Sequence, residues 1–545
     1  MKNGQISKKA KTVLVWVMLT GGLIAGSAST ATANTKASIV VSQYCPPNGA
    51  TSMPISGITL AWYPGQGAVS HDVYFGTANP PMSFQGNQTA TTFTPPTLTP
   101  NTAYYWRIDE VNEPNIVTGD VWSFTTGDPV GIYPYLTWRN DPTNSIMVNW
   151  WNPAATGDSS VDYGLTDSYG STVNVPALVN YHHVELTGLE TGTTYHYRIR
   201  SSDGTTGSDN TFTTAPDPNT TSFSFVYYGD PRGTMNADEP YYTRHGALCD
   251  WILTQNVDFA IEGGDTVWDG ANLKAIGKYW PDFFGIEGNL TKSKIVMHTL
   301  GGHDVQGGTY YYWNDFYTDA YPNTNSSIPG NNGRVYSFDY GNAHFVCLSS
   351  YQVNLVQQKN WLIADLTAAK TRPNIKWIFT FMHAPMYTNS GHSNREDEIA
   401  AWGPVFDEYG VDIVFASHNH LYERSYPIKA GVVVPEGQRT LYITNGMGGA
   451  EFNNGAPNEY FVYVYGDTQT KLVDPANADK KTAVTCITID GIHLTSQTIL
   501  NYNNEVIDTF ELFKIYPGDF NKDGIVDSKD LGEFAGVWLD TGYWP

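Results

Sequence analysis

Two hydrophobic patterns divide the chain. Before about residue 216, short stretches alternate apolar and polar residues between Gly, Pro and Asn, which predicts antiparallel strands of β-sandwich domains. From residue 217, continuous apolar runs alternate with stretches of helical periodicity, which predicts an α/β sandwich. The run Thr482–Phe513 returns to strict alternation and is expected to close one sheet. Helices are expected over Tyr241–Gln255, Leu273–Phe284, Gln352–Lys370 and Asp397–Glu408.

The β-rich region contains an internal repeat. The stretch Leu98–Ile108 resembles Leu189–Ile199 at an offset of 91 residues, and a Phe-Thr-Thr follows each copy, at Phe124 and Phe212. Short alternating strands at this spacing predict two β-sandwiches, and both copies resemble fibronectin type III domains. The first copy is an additional module whose aromatic residues are expected in its core, with a carbohydrate-facing surface as the alternative.

Five apolar runs in the second half of the chain each end in Asp or His. Carboxyl ends of parallel strands meet at one edge of a sheet, where α/β proteins place their ligand sites. Imidazole and carboxylate groups suit zinc, iron and manganese, whereas a single Gly-Asp is usually only a turn. Five together predict a metal site, and the residues concerned are Asp230, Asp265, the pair His303 and Asp304, His383, and the pair His418 and His420.

These motifs resemble those of the calcineurin-like metallophosphoesterases, in particular the purple acid phosphatases. The resemblance covers roughly residues 130–510. It includes the second β-sandwich, which is similar to the N-terminal domain of purple acid phosphatases. The matching segments are Gly229-Asp230, Gly264-Asp265-Thr266-Val267-Trp268, Gly301-Gly302-His303-Asp304, His383 and Ser417-His418-Asn419-His420.

The resemblance implies two divalent or trivalent metal ions, iron, zinc or manganese, at the catalytic site. Asp265 would bridge both ions. Asp230 and His420 would hold the first, and His383 and His418 the second. It further implies hydrolysis of phosphate esters, by attack on phosphorus of a hydroxide activated by the metals.

Four further side chains are candidates for catalysis. His303, held by its neighbour Asp304, would meet the phosphate or protonate the leaving oxygen. His392 matches a family histidine on the substrate side. Arg232 lies two residues after Asp230, and both a grip on a phosphate oxygen and a salt bridge to a nearby carboxylate are open to it.

Two positions depart from the family pattern. Trp268 replaces the tyrosine ligand of the first metal, and an indole supplies no oxygen. Gly302 replaces an asparagine ligand of the second metal. Three functions therefore stay open: a phosphomonoesterase or phosphodiesterase, which the retained histidines and aspartates favour; a metal-depleted pseudoenzyme that binds phosphorylated or anionic ligands; and an adhesion or scaffold protein.

The C-terminal region carries a different motif. Oxygen-bearing residues occupy positions 1, 3, 5, 9 and 12 of an EF-hand-type loop, with Gly524 at the sharp turn. The segment resembles one half of a type I dockerin and predicts Ca²⁺ binding, with a cell-surface or cohesin-like partner or an attachment signal as its use. A solvated acidic tail is the alternative. The predicted ligands are Asp519, Asn521, Asp523, Ile525 through its carbonyl, Asp527 and Asp530.

The first 33 residues resemble a secretory signal peptide, with four lysines, a short apolar run and a small-residue cleavage site. A secreted, cell-surface or periplasmic location is therefore expected, with no membrane span after removal of the signal. A retained N-terminal anchor is the alternative. The remainder would hold 26 basic and 53 acidic residues, a net charge of about −27. This charge argues against a nucleic-acid-binding surface.

The four cysteines, Cys45, Cys249, Cys347 and Cys486, are widely spaced and form no Cys-x-x-Cys. That spacing argues against a cysteine-based zinc or redox site. The expected architecture is multidomain: a signal peptide at 1–33, a fibronectin type III-like domain at 36–127, a purple acid phosphatase N-terminal-like sandwich at 128–216, a metallophosphoesterase domain at 217–512, and a dockerin-like calcium-binding segment at 516–545.

Overall fold

A computed structural model gives the architecture. It describes residues 35–39, 48–53, 58–100, 102–126, 133–157, 159–175, 177–200, 206–232, 241–271, 279–306, 312–322, 328–389, 392–435, 440–450, 460–465, 482–514, 518 and 528–532. The predicted signal peptide and Cys45 lie outside these residues. Within them, no helix has the length and apolar composition that crossing a bilayer requires.

The N-terminal unit is a β-sandwich. One sheet has the order β1-β3-β6 and the other β2-β9-β7-β4-β5, with β8 paired to β7. Trp62 of the first sheet and Trp106 of the second are at most 1% exposed and share one core, because inward positions alternate with outward ones along each strand. The strands are β1 (Ser38–Ile39), β2 (Ala50–Met53), β3 (Leu60–Tyr63), β4 (Ser70–Gly76), β5 (Phe84–Gln88), β6 (Thr92–Phe93), β7 (Ala103–Asn112), β8 (Asn115–Val117) and β9 (Trp122–Thr126).

A second β-sandwich follows, and it confirms the repeat. The Tyr195 hydroxyl accepts a hydrogen bond from the Glu190 amide at 3.0 Å, as the Tyr104 hydroxyl does from the Thr99 amide at 2.9 Å, 91 residues earlier. A buried tyrosine at the equivalent position therefore stabilises the equivalent turn in each unit. The strands are β10 (Tyr135–Thr137), β11 (Ser145–Thr156), β12 (Ser159–Gly164), β13 (Ser171–Val175), β14 (Val179–Thr187), β15 (Thr194–Arg200) and β16 (Asn210–Thr213).

The region from residue 217 is a sandwich of two large sheets with helices on the outside. Its strands are β17 (Ser222–Tyr228), β18 (Phe259–Glu262), β19 (Ile295–His298), β20 (Tyr336–Tyr340), β21 (Ala343–Cys347), β22 (Trp377–Phe381), β23 (Ile413–Ala416), β24 (Tyr422–Ser425), β25 (Ile428–Lys429), β26 (Val432–Val433), β27 (Leu441–Asn445), β28 (Phe461–Tyr465), β29 (Ala483–Asp490), β30 (His493–Leu500) and β31 (Glu505–Phe513). The helices are α1 (Tyr241–Thr254), α2 (Trp280–Thr291), α3 (Tyr312–Tyr317), α4 (Leu355–Lys370) and α5 (Glu396–Tyr409).

One of these two sheets continues into the second β-sandwich. Its order is β14-β11-β10-β19-β18-β17-β29-β30-β31, and Leu136 of β10 lies opposite Ile295 of β19 in parallel register. The other sheet has the order β20-β21-β22-β23-β27-β24-β28. The continuous apolar runs form the parallel strands β17, β18, β19, β22 and β23. These strands are apolar throughout because both of their faces are buried. The prediction that Thr482–Phe513 closes a sheet is confirmed.

The helices predicted at 241–255, 352–370 and 397–408 are confirmed with ends shifted by at most three residues. The helix predicted at 273–284 is confirmed over 280–284, and residues 272–278 lie outside the described part of the chain. Helix α4 begins after Asn354, whose side chain accepts from the amides of Val356 and Gln357, as an N-cap does. Helix α5 ends at Tyr409 and is capped by Gly410, whose φ of 69° suits glycine. Helix α2 begins at Trp280 and runs seven residues beyond the predicted end at Phe284, with a proline in its first turn.

The C-terminal calcium motif is described only in part. Residues 528–532 are helical and Asp530 is 2% exposed. The other five predicted calcium ligands, residues 519, 521, 523, 525 and 527, lie outside the described residues.

Candidate active site

The predicted metal ligands converge at the carboxyl ends of the parallel strands. Asp230 follows β17, Asp265 follows β18, and His383 follows β22. His418 and His420 follow β23, which lies beside β22 in the sheet that faces β17 and β18. The two sheets therefore bring together five side chains that are spread over 190 residues of sequence.

Three of these residues have a strained backbone. Asp230 and Asp265 have a φ of 55° and His418 has a φ of 66°, in the left-handed region that non-glycine residues seldom adopt. Gly264, which precedes Asp265, has a φ of 88°. Such conformations cluster at functional sites, where the surrounding structure holds them in place. Here the strain turns each side chain from its strand end towards the site.

Asp265, His383 and His418 fit a metal ion. His383 donates from Nδ1 to the Gly263 carbonyl at 2.8 Å, so its Nε2 carries the lone pair, and Nε2 lies 3.2 Å from Asp265 Oδ1. Two lone pairs this close require a proton or a cation between them. The three side chains each place one ligand atom within 4.8 Å of the others. These residues match the predicted second metal site.

The protonation of these groups follows from the same geometry. Burial disfavours the charged form of Asp265, but His383 and Arg232 hold the pKa of its carboxyl well below the usual range. Burial lowers the pKa of His383, and the charge of Asp265 outweighs this and raises it to about 9. Burial and the charge of His383 lower the pKa of His418 to about 3, which keeps His418 in the neutral form that ligates metals.

Asp230 and His420 form the other half of the site. His420 Nε2 lies 3.3 Å from Asp230 Oδ1, and that oxygen has no hydrogen-bond partner within the described part of the chain. The second oxygen of Asp230 accepts from the His418 amide at 2.6 Å. An unpaired, fully buried carboxylate oxygen beside an imidazole nitrogen fits a cation, as predicted for the first metal site.

Arg232 reaches into this half of the site. Its Nε donates to Asp265 Oδ2 and its Nη2 to His420 Nε2, each at 3.1 Å. The side chain is only 8% exposed. Of its two predicted roles, the salt bridge to a carboxylate is therefore present. The guanidinium occupies lone pairs that a first metal ion would also need.

His303 lies at the rim of the site, but Asp304 does not hold it. His303 Nδ1 donates to the Trp268 carbonyl at 2.7 Å, and its Nε2 is 3.9 Å from Asp265 Oδ2. The Asp304 carboxylate instead accepts from the amides of Val267 and Gly301, at 3.1 and 2.8 Å. The expected contact is wrong because Asp304, fully buried, joins the two motif loops through their backbones.

Trp268 and Gly302, the two positions that depart from the family pattern, are packed against other side chains. The Trp268 ring packs against His303, with ring centroids 4.6 Å apart. A Cβ atom on residue 302 would lie 3.2 Å from Tyr351 Cζ, so Tyr351 takes the space that a longer side chain would need. Tyr351 also faces His383, with ring centroids 5.9 Å apart. No motif pointed to Tyr351, because it follows β21 outside the matched segments.

Two more side chains complete the surroundings. His392 is exposed and lies beside His418, with ring centroids 4.4 Å apart, and its place on the substrate side stays a prediction. Ser417 is buried and donates to the Gly263 carbonyl, the same group that accepts from His383. Sequence reasoning missed Ser417 as a positioning residue, although it lies next to His418 in the motif.

Comparisons with known proteins agree with this geometry. Residues 133–214 match the family model of the purple acid phosphatase N-terminal domain, and residues 229–422 match that of the calcineurin-like phosphoesterases. The phosphoenolpyruvate phosphatase of Allium cepa is 28% identical over 58% of this chain and 69% of its own length. Purple acid phosphatase 23 of Arabidopsis thaliana is 26% identical over 57% of this chain and 72% of its own length.

The three-dimensional fold also resembles that of a purple acid phosphatase. The structure of purple acid phosphatase PPD1 from yellow lupin (Lupinus luteus) has a TM-score of 0.59 at 16% identity, covering 84% of this chain and 92% of that chain. Its likeness concerns the fold alone. This chain therefore carries a purple acid phosphatase N-terminal domain followed by a calcineurin-like metallophosphoesterase domain, and its homologues support a hydrolase of the phosphatase class.

Proposed function

We propose that this protein is a secreted dinuclear-metal phosphoesterase that hydrolyses phosphate esters. The observation that carries the proposal is the position of Asp265. One of its oxygens faces His383 Nε2 at 3.2 Å and the other lies 3.9 Å from His303 Nε2. A buried carboxylate between one imidazole that could ligate a metal and another that could act as an acid or base suits metal-assisted hydrolysis.

The side chains of the site would have different roles in hydrolysis. Bound metals would supply an activated water and neutralise charge on the phosphoryl oxygens. Asp230 and His420 would hold one ion and His383 and His418 the other, with Asp265 shared. His303, 19% exposed, directs Nε2 towards the open side while the Trp268 carbonyl holds its Nδ1 proton, so it is placed to hydrogen bond the phosphate or protonate the leaving oxygen.

We propose phosphomonoesters as the substrate class, with small organic phosphates first among them. The support is the relative in Allium cepa, which is named a phosphoenolpyruvate phosphatase. Secretion is part of the proposal and rests on the signal-like residues 1–33. The proposed substrate class and the proposed secretion do not depend on the chemistry at Asp265.

The test is hydrolysis of a chromogenic phosphomonoester and a diester by the full-length, metal-loaded protein. The Asp265→Asn variant should lose at least a thousandfold of kcat/KM, because the side chain would serve both metals. Asp209→Asn, the same change in the second β-sandwich, is the matched control and should keep full activity. Unchanged activity in Asp265→Asn would overturn the assignment.

One observation favours a second function, the metal-depleted anion-binding protein. Arg232 already donates to Asp265 and to His420, so a guanidinium fills part of the first metal site. A protein of this kind would bind phosphate in one-metal or metal-free form and would not turn over either ester. Metal analysis of the protein used in the assay separates the two functions.

For the C-terminal segment we propose calcium binding that serves attachment. The support is the spacing of oxygen ligands over residues 519–530. Calorimetric titration of the full chain with Ca²⁺ should show one saturable site that is lost in Asp523→Ala. Hydrolysis should be the same in both proteins, because every proposed catalytic ligand precedes residue 421. Absence of a calcium-dependent signal from the intact chain would reject the proposal.

A further inference from the structure

A second group of metal-ligating side chains lies in the core, away from the active site. His245 and Cys249 stand one turn apart on α1, Glu287 lies on α2, and His298 ends β19. Each of the four is at most 1% exposed. His245, Cys249 and Glu287 place one ligand atom each within 4.8 Å of one another.

The spacing of the ligand atoms matches a tetrahedral zinc site. Zn–S bonds of about 2.3 Å and Zn–N or Zn–O bonds of about 2.0 Å separate tetrahedral ligand atoms by roughly 3.3–3.6 Å. His245 Nε2 lies 3.4 Å from Cys249 Sγ and 3.6 Å from Glu287 Oε1. Both separations agree with one ion between the three atoms.

The surrounding hydrogen bonds orient the two imidazoles. His245 Nδ1 donates to the Gly448 carbonyl at 3.0 Å, so Nε2 is the nitrogen with the lone pair. His298 Nδ1 is 2.5 Å from the Tyr321 hydroxyl, which leaves its Nε2 directed at Glu287. Metal-ligating histidines are fixed in this way, with the second ring nitrogen bonded to a carbonyl or hydroxyl.

Two atoms of the group lack an ordinary partner. Glu287 Oε2 and His298 Nε2 are buried, and neither has a hydrogen bond within the described residues. They lie 3.9 Å apart, too far for a hydrogen bond. The other oxygen of Glu287 accepts from the Tyr228 hydroxyl. Buried polar atoms without partners cost stability unless something satisfies them.

We propose that His245, Cys249 and Glu287 hold a structural zinc ion. His298, whose Nε2 lies 3.9 Å from Glu287 Oε2, is the side chain that would turn in to complete the four ligands. A zinc ion with one thiolate and one carboxylate forms a neutral complex, which suits a site closed to water. The ion would join α1, α2 and β19 behind the loops that carry Asp230 and His303. The absence of a Cys-x-x-Cys does not exclude it, because a single cysteine acts here with a histidine four residues earlier.

The test uses cobalt, which replaces zinc and reports a thiolate ligand through a charge-transfer band in the near ultraviolet. The full chain is produced in cobalt-supplemented medium, so that the buried site fills during folding. The active-site ligands are carboxylates and imidazoles, so cobalt in the active site would not give this band. We expect the band in the unaltered protein and in Cys486→Ser, the matched control, and its loss in Cys249→Ser.

Metal counting gives an independent readout. Zinc-grown Cys249→Ser should contain about one ion per chain less than Cys486→Ser. In the Asp265→Asn background, where active-site metal binding is impaired, the cobalt band should persist.

A cobalt-loaded unaltered protein without a thiolate band would overturn the proposal, whether or not Cys249→Ser folds. So would a band that survives in folded Cys249→Ser. Either result would mean that the Cys249 thiol only donates a hydrogen bond to His245. Protons, and not a metal ion, would then lie between the polar atoms of the cluster.

Discussion

The guanidinium of Arg232 lies over the indole ring of Trp268, with Cζ 4.6 Å from the ring centroid. A cation in this position is attracted by the face of the ring. The same guanidinium donates to Asp265 and to His420. Trp268 therefore does more than remove an oxygen ligand from the first metal site, because it also supports a fixed positive charge there.

Removing that charge should strengthen metal binding at the first site. In Arg232→Gln, Asp265 and His420 lose a cation 3.1 Å away, and unit charges at such distances repel a metal by a few kcal/mol at an effective dielectric constant near 20. We expect at least tenfold tighter binding of the weaker metal in competition titrations with a chelator. Arg198→Gln, in the second β-sandwich, is the control. Equal or weaker binding in Arg232→Gln would show that the guanidinium and the metal share the site without competing.

The iron-loaded protein should not be purple. The family's colour comes from a tyrosine phenolate bound to ferric iron, and Trp268 supplies no oxygen. Tyr227 is the nearby strand tyrosine that faces the site, but its hydroxyl is 3.4 Å from Ser417 Oγ, and burial raises its pKa well above the usual value. Iron-loaded Trp268→Tyr should show a visible absorption band under oxidising conditions. An intense band in the unaltered protein would identify another tyrosine as a ligand.

His303→Ala should keep its metals and lose turnover. His303 contacts the Trp268 carbonyl and approaches Asp265 only to 3.9 Å, so it is outside the ligand shell. Loss of a general acid costs roughly 10²–10⁴-fold in kcat. The measurement pairs steady-state kinetics with metal analysis. A metal-depleted His303→Ala would instead make His303 a ligand that replaces the oxygen missing at Gly302.

A histidine far from the active site should make stability depend on pH. Burial lowers the pKa of His344, but hydrogen bonds to the Asp339 and Asp365 carboxylates, at 2.7 and 2.8 Å, outweigh this and raise it. The Arg372 guanidinium lies 3.2 Å from the same ring and pairs with Asp339. The raised pKa means that the folded state favours the protonated form.

The stabilisation from His344 is therefore complete below its unfolded pKa of about 6.5 and is lost as the pH rises through its folded value. The unfolding free energy of the unaltered protein should exceed that of His344→Gln by more at about pH 6 than at about pH 9, as urea titrations can measure. A difference between the two proteins that is equal at both pH values, or larger at the higher one, would contradict the prediction.

The sequence by itself determined the elements and the ligand types. Continuous apolar runs followed by Asp or His predicted β17, β18, β19, β22 and β23 and the residues at their ends. These signals are local, because a strand buried on both faces must be apolar throughout and only its end is free to carry a polar side chain. The tandem repeat was equally visible, since its turns and inward tyrosines recur at a fixed offset.

Only the tertiary structure decided which polar groups meet. Asp304 follows His303 in sequence yet contacts the loop amides, and Arg232 reaches His420 across 188 residues. Tyr351 beside Gly302, and the cluster of His245, Cys249, Glu287 and His298, come from separate elements with no shared motif. Side-chain contacts between distant elements depend on how the sheets and helices pack, and the spacing of residues along the chain carries no record of that packing.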